Sequence, residues 1–355
     1  LSGMTTAKLN PHWFFNGYGA YGLKDKKWKY EGNVTYSFRK CEFFPWEFPK
    51  HYISASYRYD VMSPMDKFLD TDKDNVFVAW KTTTVDQMSY VRDATLRYEM
   101  ETLSGFSVAA MARHREDTPA GKLQYIRNDA AKTIVPDITT AELGLTLRYA
   151  PGETFVNTKQ RRRPVSLDAP IFTLSHTTGF KGVLGGEYNF NRTEASIWKR
   201  FWLPASWGKI DCSVKAGAEW NVVPFPLLIL PEANLSYITQ RETFCLINNM
   251  EFLNDRFASM SISYDMNGKL FNRIPLLKNL KWREMFRVRA LWGTLTDKNN
   301  PFKSSNPDLF RFPMRDGKFT SFVMDPKIPY VEASVGIYNI FKLLHIEYVH
   351  RFTYR

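Results

Sequence analysis

Long segments of this chain alternate apolar and polar residues with a period of two, and the polar set carries full charges in mid-segment. Between Lys27 and Arg39, one side holds Trp28, Tyr30, Gly32, Val34, Tyr36 and Phe38, and the other holds Lys29, Glu31, Asn33, Thr35 and Ser37. Segments 53–61, 94–101, 141–149, 210–221 and 258–266 repeat the pattern. Successive side chains of a strand point to opposite faces, so strict alternation marks a strand between one apolar and one wet environment. Weaker versions occupy 13–22, 76–80, 106–115, 172–178, 286–292, 331–337 and 344–354.

A soluble antiparallel sandwich alternates too, but its strands average roughly 5–6 residues. About ten residues at ~3.3 Å each, tilted near ~40°, cover the ~25 Å apolar band of an outer membrane, and several segments here reach that length. The expected fold is therefore all-β: a transmembrane antiparallel barrel of about sixteen strands when complete, about fifteen of them in this chain. Residues 1–355 read as one such outer-membrane domain, because no repeat or low-complexity tract divides them. A helical membrane protein is excluded, since the longest apolar run, 222–230, is short and holds Pro224 and Pro226. An aromatic content of 15% suits the girdles of a barrel.

The net charge of +12 is spread over strands of mixed sign, which argues against nucleic acid as a partner. Cys41, Cys212 and Cys245 are odd in number and far apart, so neither a disulfide framework nor a zinc site is expected. The start at Leu1, without a basic-then-apolar leader, reads as a fragment or processed product. The aromatic segment ending at Arg355 leads to the expectation that a closing strand is missing.

Charges expected on the wet, lumen-facing side are Lys29, Glu31, Arg39, Arg58, Arg97, Glu99, Arg113, Arg148, Lys215, Glu219, Arg287, Arg289, Glu332 and Glu347. A salt-bridge network that keeps the barrel's shape is favoured for them over selection of anionic cargo. Asp70, Asp72 and Asp74 imitate the opening of a calcium loop, but the glycine and closing glutamate are absent, and a solvated turn is preferred. Arg161, Arg162 and Arg163 form a basic cluster suited either to lipid phosphates or to plain solvation. His345 and Glu347, with Asp265 not far, lack a nucleophile motif or a His-Glu-x-x-His helix, so no enzyme, metal or cofactor is expected. Residues 272–282 suit a short amphipathic helix limited by Pro275.

Several blocks resemble a known family: GYGAYGLKDKKWKY from Gly17, YDVMSPMDKFLDTDKDN from Tyr59, LRYAPGETFVNTKQRRRP from Leu147, FKGVLGGEYNFNRTEASIWKRFW from Phe180, the long block from Asn248, and YVEASVGIYNIFK from Tyr330. Together they resemble a Gram-negative outer-membrane barrel family of unknown function whose members carry an amino-terminal carboxypeptidase-regulatory-like domain. That family is distantly similar to the surface-antigen superfamily containing BamA and TamA, whose long loop after the eleventh strand folds into the lumen. The resemblance implies a bacterial outer-membrane location, with membrane lipid and lipopolysaccharide as neighbours. It also implies a non-enzymatic role in insertion, assembly or translocation of a protein or lipid client, with a periplasmic partner open; a passive channel or membrane anchor is the alternative. No Arg-Gly pair occurs here, so no residue of the superfamily's loop motif carries over. The loop expected inside is 222–256, with Pro224, Phe225, Pro226, Leu227, Leu228 and Pro231 as its core; lying on the outer leaflet or gripping a partner is the alternative. Strand parity puts it at the end opposite residues 62–75 and 150–170.

Overall fold

The computed structural model describes residues 1–69, 76, 78–240 and 242–355. Its core is a sheet of fourteen strands among these residues, each hydrogen-bonded to the next in chain order. They are β1 (Ser2–Met4), β2 (Trp13–Tyr21), β3 (Trp28–Ser37), β4 (His51–Met62), β5 (Gln87–Glu101), β6 (Phe106–Gly121) and β7 (Ile138–Tyr149). The series continues with β8 (Ile171–Gly179), β9 (Phe190–Trp202), β10 (Lys209–Glu219), β11 (Arg256–Asp265), β12 (Arg283–Thr294), β13 (Tyr330–Ile340) and β14 (Leu344–Arg351). Every pairing is antiparallel. Among the described residues no helix is long and apolar enough to cross a membrane.

The pleat sorts the side chains as the alternation requires, with the usual exposures reversed. Leu145, Val335 and Ile346 are 47%, 52% and 63% exposed, whereas Glu219 and Arg289 on the opposite face are 1% and 2% exposed. Tyr57, Leu96, Leu174, Val214 and Val288 share the exposed apolar face.

Among the described residues the sheet holds fourteen strands where about fifteen were expected. Val76, Val78 and Trp80 belong to a turn and an irregular stretch, not a strand; three alternating apolar residues are too short a signal to separate the two. In compensation β9 carries no clean alternation, because Phe190, Trp198 and Trp202 share the side of Arg192, Glu194 and Arg200. Removing the strand at 76–80 changes the parity. Connections 63–86 and 220–255 lie at the same end of the sheet, joined by the Lys81–Ser236 bridge and by the Thr82 N–H donating to the Leu235 carbonyl at 2.8 Å. The 150–170 connection lies at the opposite end. The long 220–255 connection thus follows the tenth strand, not the eleventh.

Local chemistry accounts for other departures. β6 runs on through Pro119 because β7 pairs with it only as far as Asp117, so the missing proline N–H lies where β6 has one neighbour. Pro275 starts the short helix α1 (Pro275–Leu280) instead of limiting it, since its absent N–H falls among donors the first turn leaves free. Arg39 lies beyond β3 in an exposed connection, away from the polar face. The calcium-like aspartates Asp70, Asp72 and Asp74 lie outside the described residues.

The apolar core does not lie between two sheets. It gathers the connections at one end: Met65 from 63–86, Tyr125 from 122–137, Phe225, Leu228 and Phe252 from 220–255, and Phe310 and Phe312 from 295–329. The rings of Tyr125, Phe225 and Phe310 pack mutually with centroids 5.6 to 6.3 Å apart.

Candidate functional site

Charged groups on the inner face of a sheet are costly unless paired, and here they form continuous ion-pair clusters. On β4 to β6, Arg58 and Arg113 converge on Asp93 at 3.2 and 2.5 Å, and the Thr95 hydroxyl donates to the same carboxylate. Beside them Glu99 meets Lys50 at 2.6 Å and Arg97 at 3.2 Å, and accepts from the Tyr52 hydroxyl. Glu31 stands opposite Arg58 in the ladder. Arg148 reaches Glu153 at 2.6 Å, and Arg162 of the basic cluster turns inward to Glu101 at 2.7 Å. Lys29 holds Asp25 at 2.9 Å; that bond and one from the Tyr90 hydroxyl keep the Asp25 carboxyl down at about 2.

A second cluster spans β12 to β14. Arg289 and Glu332, 2% and 1% exposed, pair at 2.9 Å. Glu332 also accepts from the Tyr330 hydroxyl and from the Cys245 N–H, both at 2.9 Å. Arg287 pairs with Glu347 at 2.9 Å, and Ser334 donates to the same carboxylate. His345 stands 3.4 Å from Glu347, while Asp265 is engaged by Tyr338 and Lys209. No group of three or more His, Cys, Asp or Glu suited to a metal occurs among the described residues.

The second cluster reaches the 220–255 connection through the Cys245 N–H, and this connection lies over the polar face as a cap. Lys215 is clasped by its Glu232 and Glu242 at 2.7 and 3.0 Å. Arg192 donates to the Leu227 carbonyl and stands 3.5 Å from the buried Glu219. Arg351 meets Glu251 at 2.7 Å. Pro224, Phe225, Leu228 and Pro231 are buried, and Pro226 and Leu227 half-buried, around a short turn at Phe225–Leu227. The three prolines keep the run out of the ladder and fix it as a turn and extended chain. Beneath it remains a cavity of about 510 Å³, lined by Lys67, Arg113, Arg115 and Arg192 below and by Phe225 and Leu227 above.

Sequence reading missed Arg192 and Lys67. Arg192 sits on the unrecognised β9, where the Thr193, Ala195, Ile197 series facing out was the available signal. Lys67 lies in a connection, and only tertiary structure turns it toward the cavity. Although its side chain is exposed to the cavity, desolvation within that interior, reinforced by Arg192, pushes its ammonium down to about 8.

Residues 115–302 match the C-terminal domain of a family of unknown function, DUF5686. No curated protein matches. Among solved structures the chain is similar to BamA from Haemophilus ducreyi lacking POTRA domains 1–3, with a TM-score of 0.55 and 9% sequence identity. The alignment covers 96% of this chain and 64% of that one, so the likeness is one of fold and spans less than two thirds of the relative.

Two outcomes follow from the charge pairing. Arg289→Met leaves Glu332 buried without its cation and should cost about 3–5 kcal/mol, whereas Arg289→Met with Glu332→Leu should cost far less; urea midpoints of the three proteins decide it. Lys67, with its lowered pKa, should be acetylated at pH 8 several-fold faster than lysines of the outlying connections such as Lys303. Its charge opposes folding fully below about pH 8, and that opposition fades as pH rises toward its ordinary value of about 10.5. Mass spectrometry of lysine acetylation between pH 7 and 10 reads the profile.

Proposed function

The chain belongs to the DUF5686 family of unknown function, and from that premise we propose that it is a β-barrel of a bacterial outer membrane. The observation that carries this reading is the reversal of the sheet's two faces. Rows of Leu, Val, Phe and Trp lie exposed on one side, and ion pairs are buried on the other. In water each exposed Leu or Val forgoes about 1.5–3 kcal/mol of burial. In lipid the same face is at home, and the charges line an interior. The fold's likeness to BamA supports closure of the sheet into a barrel.

Long connections of outer-membrane barrels face outward and short ones face the periplasm. The end with connections 63–86, 220–255 and 295–329 is therefore the external one in this reading, bordering lipopolysaccharide. The proposed role is non-enzymatic handling of a protein or lipid client during insertion, assembly or translocation. The cap supports this over a passive channel, because its ion pairs to Lys215 and Arg351 and the Arg192 hydrogen bond to its Leu227 carbonyl seat it across the interior where an open bore would run.

Single cysteines at Tyr36, Tyr57, Leu145 and Ala216 should resist a water-soluble thiol reagent in a Cys-free background, while those at Thr35, Arg58, Thr146 and Lys215 react. Equal labelling of the two sets would remove the membrane reading. Deleting residues 224–238 should convert a chain with little conductance in a planar bilayer into one with a large, steady conductance. Steady conductance already present in the intact chain would favour the passive channel instead.

A further inference from the structure

The net charge is distributed with strong asymmetry between the two ends. Connections 22–27, 63–86, 122–137, 180–189, 220–255 and 295–329 hold 17 Lys and Arg against 17 Asp and Glu. Those at the other end (5–12, 38–50, 102–105, 150–170, 203–208, 266–282 and 341–343) hold 13 against 4. The excess is most concentrated in 266–282, where Lys269, Arg273, Lys278 and Lys281 stand with no acidic residue. None of the four has a carboxylate partner among the described residues; Lys269 instead donates to the Ala205 carbonyl at 2.7 Å and lies 5.1 Å from the Trp207 ring.

Apolar groups are interleaved with these cations and left uncovered. Leu276 is 72% exposed, and Leu270, Ile274 and Leu280 are exposed as well. The neighbouring 341–343 connection adds Phe341, Lys342 and Leu343, and the Asn339 side chain ties the two by donating to the Lys281 carbonyl at 2.7 Å. This lip adjoins the outward apolar face of β12 and β14, where Phe286, Leu344 and Ile346 are exposed. Side chains with apolar bodies and cationic heads at the rim of an apolar band match the boundary between acyl chains and headgroups.

We propose that this lip, residues 266–282 with 341–343, binds the phosphates of anionic glycerophospholipids in the leaflet at the basic end of the barrel. The assignment rests on the membrane reading above and goes beyond it by naming the lipid. A lipid surface fits better than an acidic protein because the exposed Leu276, Phe341 and Leu343 continue the membrane-facing side of the sheet. Each cation near an anionic surface adds attraction that falls within a Debye length, so the preference is salt-dependent.

The purified chain in neutral detergent, titrated with fluorescent phosphatidylglycerol and phosphatidylcholine, tests this. Phosphatidylglycerol should bind about tenfold or more tightly than phosphatidylcholine, and the preference should shrink as salt rises. Replacing Lys269, Arg273, Lys278 and Lys281 by Gln should abolish it. Replacing the three lysines by Arg should keep it, as should Lys298→Gln with Lys303→Gln and Lys318→Gln at the other end. Equal binding of the two lipids, an unaffected quadruple Gln variant, or equal loss in the other-end variant would each overturn the proposal. So would a lip-dependent preference for lipopolysaccharide over phosphatidylglycerol, or equally tight lip-dependent binding of a soluble polyglutamate. A chain that stays monodisperse in water without detergent would defeat the membrane reading itself, independently of any lipid preference.

Discussion

In the membrane reading proposed above, the wall of leucine, valine and tryptophan lies against lipid, and the other face can bury arginine and glutamate only because they find each other. The architecture of this chain follows from meeting both conditions along the same strands. Outward positions such as Leu145, Leu174, Val214 and Val335 are free of polar partners. Inward positions between them hold Asp93 with two arginines, Glu99 with two cations, and Arg289 with Glu332. Register is thereby enforced from both sides: sliding one strand by a single residue would turn its charges into the apolar environment and its leucines into the network.

The inner network also selects the position of the cap. A loop as apolar as 222–231 would collapse onto any greasy surface, and collapse alone would not orient it. Directional contacts do. Glu232 and Glu242 grip Lys215 from two sides, the Cys245 N–H reaches Glu332, and Glu251 holds Arg351. The cap thus completes pairs that the strands leave unfinished, and strand and cap charges are counted in one balance.

Much of this was legible in the chain as written. The alternation in β3, β4, β7, β10 and β11 gave both the strands and their faces, since nothing but a two-sided environment produces it. The charged residues Lys29, Arg58, Arg113, Lys215 and Glu347 could be assigned to the wet side one by one. What could not be read was pairing across sequence distance. Nothing near Arg289 announces Glu332 or Cys245 as its neighbours, and nothing near Phe225 announces Tyr125 and Phe310. β9 was hidden because two tryptophans and a phenylalanine share its charged side, Phe190 being buried in the apolar core there. The error at 76–80 shows how fragile parity is: one false strand moved a whole loop to the wrong end.

The composition of the cap's core fixes an order of events in folding. Met65, Tyr125, Phe225, Phe252 and Phe310 come from four connections separated by most of the chain, and they meet only at one end of a completed sheet. None can find its partners through local turns, so this core is assembled after the strands that carry its pieces have paired. Until then its aromatic residues are uncovered, together with the apolar outer face of every strand. An unfolded chain of this pattern is aggregation-prone in water until sheet and core have formed. Contacts of the cap such as Glu251 with Arg351 and the Cys245 N–H with Glu332 are therefore ones that only an otherwise finished sheet can make.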